Sequence, residues 1–172
     1  MKKTLLLAAF AVAGALTSQA ALYTFGAMLS GTEEVPANAS TGSGTVSAFY
    51  DSVTGQFSLG GVFGGLSAPV TQAHVHAGAA GVNGGVILPL FILPGGSTSG
   101  ALIGAFPGPL TPAQVTGLFA ENWYVNVHNA AFPGGEIRGQ LLNLTPIPEP
   151  ETYAAMAGVA LVGFGVWRRN RR

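Results

Sequence analysis

A chain of 172 residues accommodates one domain with a proper core but not two comfortable ones. Only 8% of it is charged, six of its seven basic residues sit at the two ends, and it has no cysteine, so disulfides, thiol catalysis and thiolate metal sites are excluded. Between residues 21 and 146 Arg138 stands alone against Glu33, Glu34, Asp51, Glu121 and Glu136, a net of about −4, which excludes a nucleic-acid binder because counterion release needs clustered cations.

In chain order, residues 1–20 read as a secretory signal: "MKK" is the basic start, "TLLLAAFAVAGALT" a short apolar run, and "SQA" places Ser18 and Ala20 at the −3 and −1 positions. Signal peptidase is expected to cut between Ala20 and Ala21. The exported domain, 21–144, is a succession of short apolar stretches separated by Gly, Pro, Asn and Ser clusters. Strands are predicted at Tyr23–Leu29, Gly44–Tyr50, Gln56–Phe63, Val70–His76, Gly85–Phe91, Ser97–Ile103, Trp123–His128 and Glu136–Leu142. "YDSVTGQFSL" marks a hairpin that turns at Gly55. One helix is predicted after "LTP", with Thr111 as its cap and Pro112 in its first position, as a crossover between strands. The fold class expected is all-β, a Greek-key β-sandwich or barrel with one short crossover helix, flanked by the signal helix and a C-terminal transmembrane helix.

Residues 145–151 form a Pro-rich linker holding Pro148-Glu149-Pro150. The uncharged run 152–167 follows, and then the basic tail 168–172 with Arg168, Arg169, Arg171 and Arg172. Sixteen helical residues reach about 24 Å, a little under the ~30 Å hydrocarbon core. The expectation is a membrane tether with Trp167 and the arginines at the cytoplasmic interface.

The chemistry lies in the three histidines. His74 and His76 are two apart on one strand and therefore share a face, with Ala73 and Val75 on the other. In "WYVNVH" the apolar side is Trp123, Val125 and Val127, leaving Tyr124, Asn126 and His128 opposite. In "EIRGQL" Glu136, Arg138 and Gln140 point outward. If these strands are neighbours, His74, His76, His128 and Glu136 meet on one outer face. Imidazoles two residues apart on a strand can converge on one copper or zinc ion. Glu136 is available as a fourth ligand, or pairs with Arg138 and leaves three histidines. The alternative is a solvated polar face with histidines bonded to loop carbonyls. "VHAGAAGVNGGVI" (75–87) and "VHNAAFPGGEI" (127–137) also echo each other, as equivalent corners of the sheet would.

The tail resembles the PEP-CTERM sorting signal of Gram-negative bacteria, through Pro148-Glu149-Pro150, the short apolar helix and the closing "RRNRR". That resemblance implies an exosortase-type sorting enzyme, a cell-surface or extracellular destination and an association with exopolysaccharide. The domain resembles the CHRD family through Gly31-Thr32-Glu33-Glu34-Val35-Pro36, the His74/His76 pair, Asn126-Val127-His128 and Gly134-Gly135-Glu136-Ile137-Arg138-Gly139, which implies an all-β domain. The same elements are similar to copper–zinc superoxide dismutase, which would put His74, His76 and His128 at copper-ligand positions and Arg138 at the substrate-guiding one. Three histidines and no cysteine do not make a two-metal dismutase. The expectation is a non-enzymatic exported binding or structural module with no assured cofactor. Its alternative is a mononuclear copper or zinc protein using the three histidines.

Overall fold

The computed structural model describes residues 22–144 and 150–171. Ten strands run in chain order: β1 (Leu22–Ser30), β2 (Ser43–Asp51), β3 (Phe57–Gly64), β4 (Val70–Ala77), β5 (Gly85–Pro89), β6 (Phe91–Leu93), β7 (Gly100–Ala105), β8 (Trp123–Asn129), β9 (Ile137–Gln140) and β10 (Leu142–Asn143). A 3-10 turn, Gly31–Glu33, follows β1; helix α1 (Pro112–Phe119) lies between β7 and β8, and α2 (Pro150–Asn170) closes the described chain. The strands form one sheet in the order β5-β4-β8-β9-β1-β2-β3-β7-β6, with β10 on β1. Every pairing is antiparallel. The two ends of that order, β5 and β6, are separated only by Leu90, whose N–H donates to Ala73 O at 2.9 Å. The sheet is thereby curled into a nearly closed barrel, which decides the open choice between sandwich and barrel.

The period-two pattern fills the barrel. Phe25, Ala27 and Leu29 of β1, Val46, Ala48 and Tyr50 of β2, and Val125 and Val127 of β8 point inward and are buried. Phe57 meets Trp123 edge-on at 5.3 Å inside the barrel, and Phe119 of α1 packs edge-on against Tyr23, Phe25 and Tyr50. The helix starts as expected: Thr111 Oγ1 accepts from Gln114 N, Gln114 Oε1 accepts from Thr111 N, and Pro112 occupies the first turn. The 51–56 turn also forms, with Gly55 at φ 71° and Asp51 accepting from Val53 N. Two predicted strands are each divided in two: Gly85–Phe91 at Leu90, where the barrel closes, and Glu136–Leu142 at Leu141, whose N–H leaves β9 for Trp123 O.

Three expectations are corrected. The outer face of β8 is not solvated: all seven residues of the strand are buried, on both faces, because loops fold over the outside. At the tail, the run 152–167 is helical within α2, but no helix among the described residues is long and apolar enough to cross a membrane. Its uncharged length is short of a bilayer and it is followed at once by Arg168 and Arg169. The linker ends sooner than expected, since α2 already begins at Pro150. The signal segment 1–20, Ala20, Ala21, Pro148, Glu149 and Arg172 lie outside the described residues. Arg171 sets its guanidinium over the Trp167 ring at 4.4 Å.

Candidate metal centre

β4 and β8 are neighbours, in the register Gln72↔His128, His74↔Asn126 and His76↔Tyr124. His76 lies two residues from His74 along β4, and His128 lies diagonally across on β8, so all three rings share the outer face. His74 Nδ1 and His128 Nε2 are 3.2 Å apart. One ring nitrogen from each histidine lies within 4.8 Å of the other two.

Two backbone carbonyls orient the rings. His76 Nδ1 is 3.0 Å from Gly84 O, and His128 Nδ1 is 3.1 Å from Pro133 O. A carbonyl only accepts, so each Nδ1 carries the proton and donates it. That leaves both Nε2 lone pairs free, and His128 Nε2 receives the Nδ1–H of His74. His76 Nε2 is buried and has no hydrogen-bond partner. The carbonyls come from the two echoing segments: each is a hairpin, β4–β5 or β8–β9, whose loop folds back to hold the histidine that ends its first strand. Carbonyl contacts and the convergence of the three histidines are therefore both present.

Burial, more than any neighbour, lowers the pKa of each ring. His74 is depressed further by His76. For His76 the Gly84 carbonyl opposes burial without cancelling it, and the Arg138 charge adds a smaller depression. His128 is brought down to about 4, with His74 and His76 adding to burial and the Pro133 carbonyl opposing. Three neutral imidazoles at pH 7, carrying outer hydrogen bonds to carbonyls, are what a borderline transition metal requires. At metal–nitrogen distances of about 2.0–2.1 Å the ligand atoms sit roughly 3.4 Å apart, within small side-chain motions of this arrangement.

Glu136 is committed elsewhere and does not join the cluster. Its Oε1 accepts from Ser40 Oγ at 2.6 Å and Ser67 N at 2.7 Å, and its Oε2 accepts from Asn129 Nδ2, so the fully buried carboxylate ties three loops together. Arg138, 1% exposed, does not face solvent as a guiding cation would. It stacks on the Tyr124 ring at 3.5 Å and donates to Asn83 Oδ1, Ala79 O and Val82 O. Tyr124 in turn stacks on His76 at 4.8 Å, and its hydroxyl accepts from Gly84 N at 3.0 Å. Arg138 and Tyr124 therefore hold the 78–84 loop whose carbonyl orients His76. Sequence reasoning did not find Gly84, Pro133 or Tyr124 in these roles; the echo was the signal that could have pointed to the two carbonyls.

The CHRD domain family model matches residues 25–141, and the PEP-CTERM protein-sorting motif matches residues 146–172. No curated protein and no solved structure matches the chain.

Proposed function

Because the chain belongs to the CHRD domain family and ends in a PEP-CTERM sorting motif, we propose that it is an exported, surface-sorted module that holds one copper or zinc ion. His74 Nδ1, His76 Nε2 and His128 Nε2 would be the ligands. The sorting motif implies export, cell-surface delivery and processing by exosortase-type machinery. The metal reading is carried by one observation: His76 Nε2 is buried without a partner among histidine nitrogens that converge on it. An unmet buried nitrogen costs free energy that a bound cation would recover.

The donor set is three neutral imidazoles with no thiolate or carboxylate, which favours copper over zinc in the order of divalent affinities. His74 is only partly buried and marks the open side of the site. With an ion bound, the proton that His74 Nδ1 shares with His128 would be carried on the other ring nitrogen of His74, so that all three ligands would stay neutral. Neither a nucleophile nor a paired acid and base is part of this arrangement, and the reading is a binding module, not an enzyme.

The test is equilibrium dialysis of the chain, without an affinity tag, against copper and against zinc, followed by metal analysis. About one equivalent is expected to be retained, and His76→Ala or His128→Ala to abolish it. No retention in the wild type would leave a metal-free surface module, for which association with exopolysaccharide becomes the reading to pursue.

A further inference from the structure

The acidic turn after β1 takes no part in the metal site, yet it buries a carboxyl group. Glu33 is exposed, while Glu34 beside it is only 6% exposed and lies against the outer face of β8 and β9. Asn126 Nδ2 donates to Glu34 Oε2 at 3.4 Å and to Gly134 O at 3.3 Å. Two buried oxygens nearby have no partner, Glu34 Oε1 and Asn126 Oδ1. They occupy the same small space: Gly135 has φ 133°, and a Cβ there would collide with both. Turning the Asn126 amide over does not help, because the Gly134 carbonyl needs the NH2 where it is. Two acceptors side by side in a buried site need a donor between them.

We propose that Glu34 is held as a neutral carboxylic acid whose O–H donates to Asn126 Oδ1, so that acid and amide pair at two points and latch the 31–36 turn onto the sheet. One proton then satisfies both orphaned oxygens. Arg138 of β9 is the charged group that faces Glu34, but its Nη atoms are engaged by Asn83, Ala79 and Val82. The β8 group is the neutral Asn126 amide, and the neighbour on the turn itself is the exposed Glu33. Burial raises the Glu34 pKa to about 7, outweighing Arg138, the Asn126 amide and the Val35 N–H, which all lower it. The latch also reaches the 78–84 loop, since Asn83 Nδ2 donates to Val35 O at 2.7 Å and Asn83 Oδ1 accepts from Arg138. No metal ligand belongs to the pair, so it stands or falls apart from the metal reading.

The raised pKa sets the sign. The pairing is fully present below about 4.5, where the unfolded carboxyl is also protonated, and it is lost as the pH rises through about 7. The experiment is a carbon-13 NMR titration of the side-chain carboxyls in the metal-free full chain, with Glu34 assigned by its absence in Glu34→Gln. A midpoint near 7 is expected; a midpoint at or below 4.5 overturns the proposal. Amide exchange across residues 31–36, corrected for its intrinsic pH dependence, gives the second reading. It should speed up by about 10-fold between pH 5.5 and 8 in the wild type. It should stay flat in Glu34→Gln, which supplies the donor at every pH. Equal pH dependence in the two proteins also overturns the latch.

Discussion

His128 places opposite demands on acid and on metal. Its ring stays neutral down to about pH 4 in the fold, whereas an unfolded histidine takes up a proton near 6.5. Acid therefore draws the metal-free chain toward the unfolded state: the contribution is complete above about 6.5 and is lost as the pH falls toward 4. Glu34 acts in the opposite sense, so the effect is read as a difference. Urea midpoints of the metal-free protein at pH 7 and pH 4.5 should fall further in the wild type than in His128→Asn. Copper should widen the difference at pH 7 by stabilising only the wild type. At this scale the sequence was informative about identity: the period-two rule put His74 and His76 on one face and His128 on the outer face of its own strand, and the pairing of β4 with β8 brings the three together. It misplaced Glu136 and Arg138 because their partners, Ser40, Ser67, Ala79 and Val82, come from loops with no periodicity to read.

Among elements, the two hairpin loops decide what the site can do. Gly84 is in the β4–β5 loop so tightly that a Cβ would overlap the Ala77 carbonyl. Gly84→Ala must therefore shift the carbonyl that orients His76, and copper affinity should drop by roughly 10- to 100-fold, the usual cost of losing an outer hydrogen bond to a metal-ligating histidine. Thr111→Ala is the matched control, because Thr111 bonds only within α1 and touches none of the three histidines or their carbonyls. It removes the α1 cap at a cost of about 1 kcal/mol in stability and should leave copper binding unchanged in the same titration. Strand positions and the α1 cap were legible because alternation and capping are local. The burial of β8 on both sides was not, since its polar face reads as solvated until the loops that cover it are placed.

For the whole molecule, the barrel and the sorting tail are separable. The described side chains of α2 from residue 158 onward are exposed apart from the partly buried Gly158, whereas β10 pairs with β1 and Leu144 N donates to Thr24 O at 2.8 Å. A chain ending at Leu144 keeps every strand and should bind copper with the affinity of the full chain, while losing delivery to the surface. Unequal affinities in the two titrations would show that the tail reaches the domain. The motif order of the tail was fully legible; the barrel's closure at Leu90 was not, because it depends on one strand serving two neighbours.

The most direct measurement is anomalous diffraction at the copper edge from crystals of the copper-exposed chain. The account predicts a single peak on the outer face of β4 and β8, about 2.0–2.1 Å from His74 Nδ1, His76 Nε2 and His128 Nε2. A peak elsewhere, or no peak there with the three rings in their present places, would contradict it.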